Sequence, residues 1–179
     1  MKFTIYLLPL TLFFSTVLNG QYFESFQNDK YFENSIIYST GNSNEHCTLT
    51  TAVIAAELDE ILESDGPFTV FAPSDSAFQK ISEDRIQELL QPKNKHELQS
   101  LLTYHMIAGR ITAAKILKAM CRGGGTASFT TIQGNILTAT IDGIDIVLSD
   151  KFGNKAKITN ADENRCNGVI HVIDSVIMP

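Results

Sequence analysis

Apolar residues recur along this chain at two different periods, helical in the first half and alternating in the second. From Thr48 to Glu63, Leu49, Val53, Ile54, Leu58, Ile61 and Leu62 fall at helical spacing while Glu57, Glu60 and Glu63 take the other face. This predicts one amphipathic helix, stopped near Asp65-Gly66-Pro67. Phe68 to Ala72 is a short β-prone run, and Pro73 pushes Ala72 toward extended geometry, so a buried strand is expected. Ser74 then stands at a helix N-cap position with Asp75 in the first turn, where the helix dipole favours a negative charge. Ser82 with Glu83 and Asp84 repeats that start signal for Ile86 to Leu90. Asn94 followed by Glu97 has the capping-box pattern and opens a helix through Leu98, Leu101 and Leu102. Thr112 is expected to cap a helix over Ala113 to Met120, ahead of the Gly123-Gly124-Gly125 hinge.

After Thr126 the period changes. Phe129, Ile132, Ile136, Leu137, Ile141, Ile144, Ile146 and Leu148 stand among Thr and Asp residues, with turn signals at Gln133-Gly134-Asn135, Asp142-Gly143 and Phe152-Gly153-Asn154. This predicts antiparallel hairpins. The closing run of Val169, Ile170, Val172, Ile173, Val176 and Ile177 is nearly continuous and β-branched, as in a strand covered on both faces, and His171 and Asp174 interrupt it. Helices first and hairpins second give an α+β fold class, with no βαβ alternation and no internal repeat.

The N-terminal region changes what the protein is for. Residues 1–20 hold Lys2, no acid, and an apolar run from Phe3 to Leu18 that ends at Asn19 and Gly20. They read as a secretory signal peptide, too short to span a bilayer and without a positive flank after it. Residues 21–35 read as a polar N-terminal arm, with a short helix expected around Tyr31 to Tyr38, and the domain proper is placed over 36–179. The expected product is secreted, extracellular or periplasmic, with no stable membrane anchor.

Removing the leader takes away Lys2 alone, which moves the formal net charge from -6 to -7. An acidic domain of this kind is a poor partner for nucleic acid or an anionic membrane. Cys47, Cys121 and Cys166 are an odd number for an oxidising compartment. Either they sit buried as small hydrophobes, or one bridge forms and the remaining thiol can join two chains into a disulfide-linked homodimer. No CxxC is present, which argues against metal or redox work.

Three segments, Thr69-Val-Phe-Ala-Pro-Ser-Asp-Ser-Ala-Phe78, Leu101-Leu-Thr-Tyr-His105 and Asn167-Gly-Val-Ile-His-Val-Ile-Asp174, resemble in order and spacing the signature segments of the fasciclin-like domain. The resemblance runs over about Ile36 to Pro179 and is similar to small bacterial single-domain members. It implies a β-sandwich wedge with helices packed along one edge, and a secreted adhesion module whose partner is a cell-surface or matrix protein or glycan. It also implies that Asp75 hydrogen-bonds His105. From animal relatives it implies that Leu101, Leu102, Tyr104, His105, Met106 and Ile107 contact a receptor, against the alternative that they are core. Phe71, Pro73, Asp75, His105, Asn167, Gly168, His171 and Asp174 are its structural positions. Cys166 stands where a small polar residue is common.

Chemistry beyond binding finds little support in the residues. No GxSxG is present, so a hydrolase lacks its nucleophile, and His171 with Asp174 are expected to be satisfied core polar groups. His46, His96, His105 and His171 are scattered without metal-ligand spacing, the acidic turns lack a calcium loop, and the glycine triplet lacks a following Lys-Ser/Thr. No enzyme, cofactor or metal is expected. There is no Arg-Gly-Asp and no Asn-x-Ser/Thr acceptor. A second reading is a carrier holding a small apolar ligand in the seam between helices and sandwich.

Overall fold

The computed structural model describes residues 34–63 and 66–178. The expected signal peptide over residues 1–20 lies outside the described residues, as do residues 21–33 of the expected arm. Asn34–Pro179 is one compact unit. Its first element, α1 (Ile36–Gly41), is capped by the Ser35 side chain, which accepts from the Tyr38 N–H. Ile36 is fully buried, so the polar appearance of this stretch hides a core anchor. The helix lies later than the Tyr31 to Tyr38 expectation because the cap is Ser35.

The long helix expected over Thr48 to Glu63 is two helices, α2 (Cys47–Ala55) and α3 (Asp59–Glu63). Glu57 adopts φ +52° and the Leu58 N–H returns to the Val53 carbonyl at 3.1 Å. A left-handed residue ends a helix, and here it is a glutamate without the usual glycine signal. The break keeps Leu58 and Leu62 buried and leaves Ile54 and Ile61 exposed.

β1 (Phe68–Pro73) follows, then α4 (Asp75–Phe78), α5 (Glu83–Leu89), a 3-10 turn (Pro92–Asn94) and α6 (Lys95–Tyr104). Ser74 caps α4 as expected, accepting from the Ala77 N–H at 3.2 Å. The capping box at α6 does not form. Asn94 Nδ2 donates instead to the Glu88 carbonyl at 2.7 Å, and Glu97 pairs with Arg85. β2 (Met106–Ala108) leads to α7 (Ala113–Arg122), whose cap is Thr112, accepting from the Lys115 N–H.

The hairpins expected after Thr126 form as β3 (Thr126–Thr130), β4 (Ile136–Asp142), β5 (Asp145–Ser149), β6 (Lys155–Arg165) and β7 (Gly168–Ile173). The seven strands make one sheet in the order β2-β1-β7-β6-β5-β4-β3. All neighbours are antiparallel except β1 and β7, which pair parallel from Phe68↔Gly168 to Pro73↔Ile173. β6 shifts register between Ile158 and Glu163 and bends the sheet. A bridge between Ile107 and Thr131, with the Ile132 N–H donating to the Met106 carbonyl at 2.8 Å, joins the two edge strands. The sheet therefore curls almost shut and leaves little open edge.

β1 and β7 are buried on both faces. Val70, Ala72 and Ile170 pack with Ile36, Val53, Leu62, Leu101 and Leu102 of the helices. Phe71 and Ile173 pack with Ile116, Leu137, Leu148 and Ile158 inside the curled sheet. Burying Val70 and Phe71 contributes about 2 kcal/mol each.

Candidate functional site

The three signature segments meet at the β1–β7 pair. Phe71 stands opposite His171 in the parallel register, and the two rings stack at 5.6 Å. The Phe71 N–H donates to the His105 carbonyl at 2.9 Å, which brings the Tyr104-His105 corner against the same strand.

Both central histidines are consumed by backbone. His105 is buried, with Nδ1 2.8 Å from the Leu101 carbonyl and Nε2 3.1 Å from the Ile177 N–H. Those partners fix the tautomer: Nδ1 carries the proton and Nε2 accepts. The ring thereby ties the end of α6 to the C-terminal segment, where Ile177 is fully buried. Burial lowers the His105 pKa to about 4, partly opposed by the Leu101 carbonyl. His171 takes the other tautomer: Nε2–H donates to the Ile111 carbonyl at 2.8 Å and Nδ1 accepts from the Asp162 N–H at 3.3 Å. Burial lowers its pKa as well, opposed by Ile111 and by the Asp162 charge.

The expected Asp75–His105 hydrogen bond is not made. Asp75 lies at the start of α2, where its carboxylate accepts from the Cys47 N–H at 3.1 Å and the Thr48 N–H at 2.8 Å. An aspartate in the first turn of one helix thus closes the open N–H groups of another. Burial works against its ionisation, but the Thr48 and Cys47 donors and nearby His46 outweigh it and lower the pKa.

The six residues expected to meet a receptor, Leu101, Leu102, Tyr104, His105, Met106 and Ile107, are all buried, none more than 6 % exposed. Of the two alternatives, receptor contact or core, this burial is that of core residues. Tyr104 and His105 cross edge to face at 6.4 Å, and Leu101, Leu102 and Met106 belong to the helix-side core.

Asn167 and Gly168 fasten the β6–β7 turn to the helices. Asn167, fully buried, accepts from the Ile36 N–H at 2.9 Å and donates to the Leu62 carbonyl. A Cβ on Gly168 would sit 2.1 Å from the Phe68 carbonyl oxygen, so the close β1–β7 approach admits only glycine. Pro73 ends β1 opposite Ile173, and the Ser74 N–H donates to the Ile173 carbonyl. Asp174 accepts from the Lys157 N–H at 2.8 Å and from Lys80 Nζ at 3.3 Å. Burial again opposes its ionisation, and the Lys157, Ser175 and Lys80 donors outweigh it. His171 and Asp174 therefore serve separate partners and form no dyad.

Some fixing residues escape a reading of the pattern. Asp162, at φ +63°, presents its backbone N–H to His171 and its carboxylate to the Ala113 N–H at 2.8 Å, closing α7. Its only signal is that Asp tolerates left-handed backbone. Fully buried Thr69 donates to the Gly109 carbonyl at 2.6 Å and accepts from the Ile111 N–H at 2.9 Å. Cys47, Cys121 and Cys166 are all exposed, which corrects the buried alternative, and Cys47 and Cys121 are thiols, so no intramolecular bridge forms.

The seam between helices and sheet holds a cavity of about 20 Å³, lined by Ile36, Leu49, Val53, Leu102, His105 and Met106 among others. That is room for one water and not for an apolar ligand. An open hollow of about 450 Å³ has Glu45, Asp75 and Asp174 on its walls beside Val172. Among the described residues no cluster of His, Cys, Asp and Glu is arranged to hold a metal ion. No described helix is long and apolar enough to cross a membrane.

The family model of the fasciclin domain matches residues 44–179, which contain all three converging segments. The chain belongs to the fasciclin-domain family. It is 39 % identical over 145 residues to protein sll1483 of Synechocystis sp., covering 81 % of this chain and 73 % of that protein. It is 32 % identical over 148 residues to immunogenic protein MPB70 of Mycobacterium bovis, covering 77 % of this chain and 66 % of that one. It is 32 % identical over 132 residues to transforming growth factor-beta-induced protein ig-h3 of Sus scrofa, covering 74 % of this chain but 17 % of the relative. The fold matches a fasciclin domain pair from the insect cell adhesion molecule fasciclin I with a TM-score of 0.72 at 18 % identity, covering 82 % of this chain and 51 % of that one. The α+β wedge expected from the sequence is therefore the fold of this family, in which a cell adhesion molecule is found.

Proposed function

We propose that this fasciclin-domain protein is a secreted, non-enzymatic adhesion module acting between cell surfaces or matrix components. The observation that carries the reading is the fate of its polar signature residues. His105, His171 and Asn167 are buried and bound to backbone, while Asp75 and Asp174, on the wall of the open hollow, each accept backbone N–H groups that fix neighbouring elements. A domain whose signature polar groups all serve architecture acts through its outer surface. The ig-h3 similarity and the fasciclin I fold support adhesion as that use. Partners are a cell-surface or matrix protein or glycan, and the Tyr104-His105 corner is assigned to the scaffold. The exposed thiols support a disulfide-linked homodimer once the chain meets an oxidising compartment.

The test is attachment of host cells and matrix extracts to surfaces coated with the folded protein, against a heat-denatured control. Saturable attachment to the folded form alone is expected, with no turnover in a hydrolase screen. Attachment equal on both coatings, or turnover lost in His171→Ala, overturns the reading. Native mass measured without reductant reports monomer or disulfide dimer in the same preparation.

A further inference from the structure

One end of the curled sheet carries an apolar cluster that the fold does not use. Phe152, Ile136 and Ile132 are 65 %, 56 % and 42 % exposed. They come from two neighbouring loops. Thr138 pairs with Ser149, and Thr130 with Ile136. Continued two residues, that register sets Ile136 level with Lys151 at the start of the β5–β6 turn. Ile132 lies in the β3–β4 turn, four residues before Ile136, and its N–H donates to the Met106 carbonyl.

The loop that presents Phe152 is built to be rigid. The Asp150 carboxylate accepts from the Phe152 N–H at 2.8 Å, the Asn154 N–H at 2.9 Å and Asn154 Nδ2 at 2.7 Å. Asn154 Nδ2 also donates to the Met178 carbonyl at 2.8 Å, and Gly153 supplies the φ of +91° that closes the turn. An exposed phenylalanine on a loop this well fixed loses little conformational freedom when it is buried by a partner.

The charges around it are mostly positive. Lys151 Nζ lies 4.9 Å from the Phe152 ring centre, and Lys155 opens β6 beside Ser149. Residues 126–141 contain no charged side chain. Asp150 is the one acid in the two loops, held within its own turn, so two lysines stand against one carboxylate. Large apolar groups at loop tips with a lysine rim are the chemistry of an interface between headgroups and acyl chains.

We propose that this end of the domain is a reversible docking surface for an anionic lipid bilayer, with Phe152, Ile136 and Ile132 entering the interface and Lys151 and Lys155 meeting the headgroups. The overall charge of -6 opposes approach at long range. At physiological salt it is screened beyond about 8 Å, so the local patch decides the contact. The surface is independent of the adhesion reading: vesicle binding without cell attachment leaves it standing, and cell attachment without vesicle binding does not rescue it.

The test is co-sedimentation of the secreted form, without residues 1–20, with phosphatidylcholine vesicles and with vesicles that also contain phosphatidylglycerol. Binding is expected on the mixed vesicles and weakens as salt rises. Ile136→Ser with Phe152→Ser lowers it by roughly tenfold or more, and Lys151→Glu with Lys155→Glu removes the preference for the anionic lipid. All four positions are exposed, so thermal unfolding of the variants matches the parent and serves as the folding control. Absence of sedimentation, or binding unchanged in the apolar double variant, overturns the proposal. So does a dimer that Phe152→Ser dissolves, which assigns the patch to a second copy. Protection of Phe152 from hydroxyl-radical footprinting in the lipid-free monomer also overturns it, because another part of the chain then covers the ring.

Discussion

Acid should loosen this domain through His105 before its carboxylates titrate. The ring is 3 % exposed, and its Nε2 accepts the Ile177 N–H. A second ring proton converts that acceptor into a donor facing a donor and places a charge in the core. The folded pKa of about 4 lies below the ordinary imidazole value of 6.5. Between those values the unfolded chain binds the proton and the folded chain does not, so stability falls as pH drops from 6.5 and levels off below about 4. The linkage amounts to roughly 3 kcal/mol across that window. The lowered His171 adds in the same direction. Asp75 and Asp174, also lowered, lose their contributions only below the ordinary aspartate value of 3.8, so the two effects separate on the pH axis. Urea unfolding followed by circular dichroism at a series of pH values measures this directly. His105→Gln keeps a neutral donor and acceptor in place and removes the titration, so its stability should decline less steeply over the same range. A parent stability flat from pH 6.5 to 4, or an equal slope in the variant, refutes the reasoning.

Asp75→Asn should cost about 1 kcal/mol, because α2 loses its charged acceptor for the Cys47 and Thr48 donors. The His105 titration, followed by proton NMR, should stay where it is, since the two residues do not touch; a matching shift would restore the bond expected from the family resemblance. Asn167→Ala should cost roughly 2 to 3 kcal/mol by leaving the Ile36 N–H and the Leu62 carbonyl buried and unpaired; an unchanged denaturation midpoint would show that water replaces the amide. Gly168→Ala should be among the most damaging single changes, because its methyl meets the Phe68 carbonyl; soluble protein with the parent melting temperature would contradict the close β1–β7 approach. Cys47 and Cys121 should react with a thiol reagent in the native state at the rate seen in denaturant, and strong protection would place them away from the surface.

The sequence by itself determined the inventory of this fold. Strand and helix identities follow from local causes: the switch of apolar period at Thr126, the Pro73 and glycine punctuation, and the Ser74 and Thr112 side chains that close their own helix starts. The three signature segments also carried the family. What failed were inferences that a local pattern can suggest but not fix. The Glu57 turn carries no glycine, so the broken helix looked continuous. Asn94 found a better acceptor at Glu88 than its own helix offers, and Asp75 closes a helix that begins 28 residues before it.

Only the tertiary structure decided which faces are covered. The alternation of Tyr104 to Ile107 is the same whether the strand edge meets solvent or core. Packing of α6 over β1 and joining of β2 to Thr131 put the whole segment inside. The parallel pairing of β1 with β7 joins residues about 100 positions apart and leaves no periodic trace in either strand. The Phe152 loop shows the converse: its apolar residues resemble core in sequence, and the closed sheet leaves them outside. Hydrophobicity fixes how much surface a chain must bury, while the choice of which residues bury it is made by long-range contacts that no short window of sequence contains.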